Sequence, residues 1–192
     1  MSRYIVGITG ASGSVYAVRL LEELLRGGHE VHLVVSQTGQ KVCEYEMGMT
    51  ITPDFAEAYP EGRLVIHPHE DLFASISSGS YHVDGMVVVP CSMTTLGEIA
   101  SGSSRNLLGR AADVCIKERR KLVLVPRELP FSTIHLRNML TLSEMGVVIL
   151  PASPGFYHRP QSVKDIVDFI VSRILDTLGI ENSLYQKWRQ EE

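Results

Sequence analysis

Arginine, lysine and glutamate crowd into one stretch, Arg110 to Pro130, which reads RAADVCIKERRKLVLVPRELP. Its first half is a predicted helix bearing Arg110, Lys117, Arg119 and Arg120. Leu122 to Val125 is a continuous apolar run, the pattern of a buried strand, and it stops at Pro126. Arg127 and Glu128 follow, held between Pro126 and Pro130. Ligands of open α/β sheets bind at the carboxyl ends of strands, and a charged pair fixed there rarely serves packing alone. The stretch therefore reads as one wall of an anion site, with Arg119, Arg120 and Lys121 as a solvated face beside it.

Two other segments offer donors to an anion. Gly7-Ile8-Thr9-Gly10-Ala11-Ser12-Gly13 is a strand-to-helix turn whose backbone N–H groups suit phosphate, although tight turns need glycine for structural reasons too. Pro90-Cys91-Ser92-Met93-Thr94-Thr95 follows a second apolar run, with Ser92 placed to cap a helix and Thr94 and Thr95 in its first turn. Those hydroxyls serve as caps or as ligands, and taken alone they leave both open. Beyond them, Pro151 to Gln161 is a rigid loop carrying Tyr157, His158 and Arg159, which suits a lid or a subunit contact. Arg173, by itself, reads as a surface residue.

Several chemistries are excluded. A nicotinamide dinucleotide site wants an acid about 20 residues beyond its glycines, whereas the second predicted strand here ends in Ser36 with no carboxylate beside it. No tyrosine is followed four residues later by lysine, as a short-chain dehydrogenase requires. GASGS around Ser12 lacks the last glycine of a nucleophile elbow. His67-Pro68-His69-Glu70-Asp71 meets Leu72 where a metallohydrolase needs another histidine, so it reads as a solvated loop and no metal is expected.

Stepping along the chain, strands are predicted at Tyr4–Thr9, Glu30–Val35, Arg63–His67, Gly85–Val89, Lys121–Val125 and Val147–Leu150. Helices are predicted at Ser14–Arg26, Thr38–Met47, Leu72–Ile76, from Met93, at Asn106–Arg119, Thr133–Met145 and Ser162–Leu178. Met47 to Pro60 reads as irregular with a short helical turn. This alternation specifies a single α/β domain: a doubly wound, mostly parallel, Rossmann-like sheet with helices on both faces. The domain spans residues 1–180, and a tail, residues 181–192, is expected to dock Trp188 on its own or a neighbouring subunit.

The 192 residues are 44% apolar and 21% charged with net charge −4, ordinary for one soluble domain and against a nucleic-acid partner. Three scattered cysteines form no CxxC pair, which favours a reducing compartment. No apolar run is long enough for a signal peptide or a membrane span, so a cytoplasmic location is expected.

GITGASG, PCSMTTL, RAADVCIKERRKLVLVPRELP and PGFYHRPQS, in this order over nearly the whole chain, resemble the UbiX-type flavin prenyltransferases. That family was formerly described as aromatic-acid decarboxylases, and it shares the flavoprotein fold with cysteine decarboxylases. The resemblance implies FMN bound between subunits of a homododecamer. It also implies transfer of a dimethylallyl group from dimethylallyl monophosphate to N5 and C6 of reduced FMN, without a metal. The prenylated FMN then serves a UbiD-type decarboxylase. By motif, Gly10, Ala11, Ser12, Ser36, Ser92, Met93, Thr94, Thr95 and Arg127 hold FMN. Arg110, Lys117, Arg127, Tyr157 and Arg173 surround the prenyl phosphate, some from neighbouring chains. Glu128 exchanges a proton with the departing phosphate, and Glu46 and Ser12 sit near the reacting edge of the flavin.

Two rivals stand beside this reading. An FMN-dependent cysteine decarboxylase of the same fold looks for Asn after the equivalent of Pro90, where this chain has Ser92-Met93-Thr94. A non-catalytic flavin carrier needs the two cradles but has no use for the cations.

Overall fold

In the computed structural model, which describes residues 1–185, six parallel strands form one sheet. The elements are β1 (Arg3–Ile8), α1 (Ser14–Arg26), β2 (Glu30–Val35), α2 (Gln37–Met47), β3 (Arg63–His67), β4 (Gly85–Cys91), α3 (Met93–Ala100), α4 (Leu107–Lys117), β5 (Lys121–Pro126), α5 (Thr133–Glu144), β6 (Val148–Ile149) and α6 (Val163–Leu178). The spatial order β3-β2-β1-β4-β5-β6 reverses direction between β1 and β4. At that reversal, connections leave the two strands toward opposite faces, opening a crevice above their carboxyl ends.

Strand residues alternate between two cores. Val6, Ile8, Leu33, Val87 and Val123 pack on α1 and α6, whereas Ile5, Val34, Met86, Val88 and Leu124 pack on α3, α4 and Leu142 of α5. Both faces of the central strands are therefore covered, which is why they read as unbroken apolar runs. Arg19 of α1 donates to buried Asp168 of α6 at 2.7 Å, pairing the one carboxylate that this helix contact buries.

The structure departs from the sequence reading at three elements. β4 continues past Val89 to Cys91 because a register irregularity between Val88 and Cys91 accommodates Pro90, which has no N–H to give the ladder. Leu72–Ile76 is not a helix. The Asp71 carboxylate accepts the Phe73 N–H at 3.1 Å, and the segment becomes turns with a short 3-10 turn at Ser75–Ser77. Arg120 is not simply solvated: its guanidinium donates to the Tyr81 and Gly79 carbonyls at 2.8 and 2.5 Å, tying the loop before β4 to the end of α4.

Leu184 and Tyr185 pack against the α1/α6 core, with the Tyr185 ring 4.9 Å from that of Phe169. Trp188 lies outside the described residues. No helix among the described residues is long and apolar enough to cross a membrane.

Candidate active site

A cleft of about 400 Å³ opens above the carboxyl ends of β1, β4 and β5. Gly10, Ala11, Ser92, Met93, Thr94, Arg127, Glu128, Ile134, His135 and Asn138 line it. The glycine turn, the start of α3 and the Arg-Glu pair thus meet in one place, far apart as they are in sequence.

The first two are joined through Thr9. Its buried hydroxyl donates to the Pro90 carbonyl at 2.7 Å and accepts the Ser92 N–H at 2.8 Å. Sequence reasoning missed this residue, because nothing local distinguishes it from any strand-end threonine. Gly10 is required by close approach: a Cβ there would lie 2.5 Å from Thr38 Cγ2 on α2. Ser36 follows β2 and caps α2, its hydroxyl accepting the Gly39 N–H at 3.0 Å.

At α3 the Ser92 hydroxyl accepts the Thr95 N–H at 3.2 Å, so it is a cap, the bland alternative left open by the sequence. The Met93 and Thr94 amides have no protein partner among the described residues. Together with the positive end of the helix they offer donors of the kind that suit a phosphate.

The other helix start differs from expectation. Gly13, at φ 117°, caps α1 without a side chain. The Glu46 carboxylate reaches across from the last turn of α2 and accepts the Gly13 and Ser14 N–H groups at 3.0 and 2.9 Å. The protein's own carboxylate thus occupies the anion position that the glycine turn offered to phosphate. Burial pushes the Glu46 carboxyl up, but hydrogen bonds from Ser12, Ser14 and Gly13 outweigh it and leave it below the usual carboxylate range. Glu46 therefore stays ionised against the turn that carries Ser12.

Arg127 is exposed; its Nε donates to the Ser12 carbonyl at 3.1 Å, fixing the guanidinium over the glycine turn with its terminal nitrogens free among the described residues. Glu128 is half-buried, and its Oε1 accepts the Leu129 N–H at 3.1 Å.

The opposite wall is α5. Ser132 and His135 form a capping box in which the His135 Nδ1 accepts the Ser132 N–H at 3.2 Å and the Ser132 hydroxyl accepts the His135 N–H at 3.2 Å. Ile134, His135 and Asn138 were also missed. Their one-turn spacing just after the second proline was the available signal.

Within one chain, Ser12, Ser36, Glu46 and Thr95 stand behind the lining of the cleft, and four further predicted site residues are engaged elsewhere. Lys117 pairs with Glu118, and because α4 runs against the strands it lies at the opposite edge of the sheet, roughly 17 Å of strand from Arg127. Arg110 donates to Asp113 at 2.8 Å and to the Ser77 carbonyl at 3.0 Å. Tyr157 packs edge-on against Phe169 with ring centroids 5.8 Å apart, and Arg173 on α6 reaches Asp176 at 3.3 Å. The 110–130 stretch is thus not one continuous wall in a single subunit; only its carboxyl end faces the cleft. Among the described residues no group of three or more His, Cys, Asp and Glu is placed to hold a metal ion.

A doubly wound sheet with helix-start amides, hydroxyls and one guanidinium at its switch point defines the class of α/β proteins that hold a phosphorylated ligand above the strands. Comparison with known proteins makes this specific: the Flavoprotein family model matches residues 1–175. A flavin prenyltransferase UbiX from Thermoplasma acidophilum is 52% identical over 97% of this chain and 99% of its own. The chain belongs to the Flavoprotein family and, within it, to the UbiX flavin prenyltransferases.

Two solved structures agree. AnUbiX, crystallised with FMN and dimethylallyl pyrophosphate, superposes with a TM-score of 0.92 at 41% identity, covering 100% of this chain and 99% of its own. A dodecameric FMN-dependent UbiX-like decarboxylase from Escherichia coli O157:H7 gives 0.89 at 46%, covering 97% and 99%. The peptidyl-cysteine decarboxylase EpiD, at 18% identity and TM-score 0.60, shares the fold only, with 93% of this chain and 99% of its own covered.

Proposed function

We propose that this protein is a flavin prenyltransferase that moves a dimethylallyl group from a dimethylallyl phosphate ester to reduced FMN, making prenylated FMN. The observation that supports it best is the Arg127-Glu128 pair facing the open amino terminus of α3 across one cleft. The residues fit FMN. The α3 amides and the hydroxyls of Thr94 and Thr95 suit its phosphate, with Ser92 as the cap that holds that helix start in place; Gly10 and Ala11 border the space for its ring, and Ser12 and Ser36 stand in the two turns beside it. When bound and reduced, FMN supplies the nucleophilic nitrogen and carbon that accept the five-carbon unit.

The chain's own residues then divide the work. Loss of phosphate from an allylic ester builds negative charge on the leaving group, and Arg127 is held by the Ser12 carbonyl where its free nitrogens can meet it. One preorganised donor of this kind is worth roughly 3–4 kcal/mol in other enzymes. Glu128 holds or returns the proton of the departing phosphate. Glu46 fixes the glycine turn and with it Ser12. Arg110, Lys117, Tyr157 and Arg173 complete the phosphate site from neighbouring subunits of a homododecamer, which accounts for their distance from the cleft of their own chain. The working place is the cytoplasm, and the prenylated FMN passes to a UbiD-type decarboxylase.

The test mixes the purified protein, reduced FMN and dimethylallyl monophosphate. Free phosphate together with a flavin heavier by one prenyl unit is the expected result. FMN recovered unchanged would leave a flavin carrier instead. Release of carbon dioxide from a peptidyl cysteine would favour the decarboxylase.

A further inference from the structure

The molecule has a second cavity that shares no lining residue with the cleft above. It holds about 430 Å³ beyond the carboxyl ends of β2 and β3, under α2 and the segment after it. Its floor is apolar, built from Val35, Cys43, Ile51, Ile66 and Pro68, and His67 stands on its wall. A cavity of this size, with an apolar body and a few polar groups, is the ordinary form of a small-molecule site.

What His67 offers to that space is decided by residues behind it. Glu30 is buried, and its Oε1 accepts from the Arg3 Nε at 2.6 Å, the Tyr81 hydroxyl at 3.2 Å and the His32 Nε2 at 2.8 Å. Arg63 reaches its other oxygen at 3.3 Å. Burial pushes the Glu30 carboxyl up, but the hydrogen bonds from His32 and Arg3 outweigh this and hold it at about 2, so it is ionised and can only accept. His32 must therefore donate through Nε2.

Burial also holds His32 and His67 below the usual histidine range, so both rings are neutral. A neutral His32 that donates through Nε2 carries a lone pair on Nδ1, which lies 2.7 Å from the His67 Nε2. The rings are nearly coplanar, at 12°, with centroids 5.0 Å apart. That is the geometry of an in-plane N–H···N hydrogen bond, not of face-to-face stacking. His67 Nε2 thus holds the proton, and His67 Nδ1, without a partner among the described residues, is an acceptor.

We propose that this cavity is a second ligand site, selective for a small uncharged aromatic molecule carrying one hydrogen-bond donor, of which phenol is the type. The apolar floor takes the ring, and His67 Nδ1 takes the donor. An anion would meet Glu70 on the rim, paired with the His69 Nδ1 at 2.7 Å, and no lysine or arginine in the lining, while a cation would lose its hydration against the floor. The proposal stands apart from the reading of the catalytic cleft, because no residue is common to the two.

The experiment uses the purified full-length assembly with 4-iodophenol and its donor-free counterpart 4-iodotoluene. Crystals soaked in 4-iodophenol should show anomalous iodine density in this cavity. Equilibrium dialysis should show it binding about two- to tenfold tighter than 4-iodotoluene, the effect of one hydrogen bond. Ile51→Trp, which fills the cavity without touching the histidine chain, should abolish that binding and leave FMN binding unchanged. His67→Phe should erase the preference for the phenol. Equal binding of the two probes, binding undiminished in Ile51→Trp, or a neighbouring subunit's side chain found inside the cavity would overturn the proposal.

Discussion

Replacing Thr9 by valine keeps the shape of the side chain and removes the hydroxyl that joins β1 to the start of α3. Two hydrogen bonds go with it, to the Pro90 carbonyl at 2.7 Å and from the Ser92 N–H at 2.8 Å. The Pro90 carbonyl keeps the Thr9 N–H at 3.3 Å, but the Ser92 N–H has no other partner among the described residues. A net loss of about 1 kcal/mol for a bond, plus about 1–2 kcal/mol for a half-buried donor left unpaired, gives roughly 2–3 kcal/mol. In a chain of this size each kcal/mol moves the melting temperature by about 2–4 °C, so Thr9→Val should melt at least about 4 °C lower.

The same variant should bind FMN at least about tenfold more weakly, because Ser92 anchors the helix whose Met93 and Thr94 amides face the cleft. Scanning calorimetry and fluorescence titration with FMN measure the two effects, with Thr9→Ser as the control that retains the hydroxyl. A Thr9→Val protein that melts and binds FMN like the parent would refute the anchoring role. So would a Thr9→Ser protein impaired as severely as the valine variant.

Other expectations follow from the same geometry. Glu128→Gln should slow turnover by about 10²–10⁴-fold while FMN affinity stays nearly unchanged, since a proton-transfer role is lost and a binding role is not; equal loss of both in kinetics and titration would make Glu128 structural. Glu46→Ala strips the cap from the Gly13 and Ser14 N–H groups and should cost about 0.5–2 kcal/mol in urea unfolding, so an unmoved midpoint would count against it. Acid should destabilise the fold in two stages. Neutral, buried His32 and half-buried His67 lie below their usual range in the folded state, so the unfolded chain takes up protons first as pH falls below about 6.5. Glu30, held at about 2, adds stability above about pH 4.5 that is lost as pH drops toward 2. Unfolding followed from pH 8 to 2 should show both, and a protein more stable at pH 5 than at pH 7 would contradict the histidine assignment.

Most of the architecture was legible in the chain itself. Apolar runs such as Leu122 to Val125 have no polar phase, so they can only be strands covered on both faces, and their alternation with 3.6-residue helical patterns leaves a parallel sheet as the packing solution. The motifs GITGASG and PCSMTTL fall on strand ends by their position in that alternation, and neighbouring strands at a switch point share a crevice, so their convergence was legible too. Three things were not. Glu46 caps α1 from 32 residues away, because only the packing of α2 on α1 brings a carboxylate to those amides. Arg110 and Lys117 adjoin Arg127 in the same motif, yet a helix running against the strands carries Lys117 to the opposite edge, and Arg110 in its first turn is taken up by Asp113 and the Ser77 carbonyl. The order Glu30, His32, His67 and the single proton position it enforces arise because β2 and β3 are neighbours in register, a pairing between residues 35 apart. Periodicity is a property of adjacent residues and survives in the sequence; hydrogen-bond partners across elements are chosen only when the layers close.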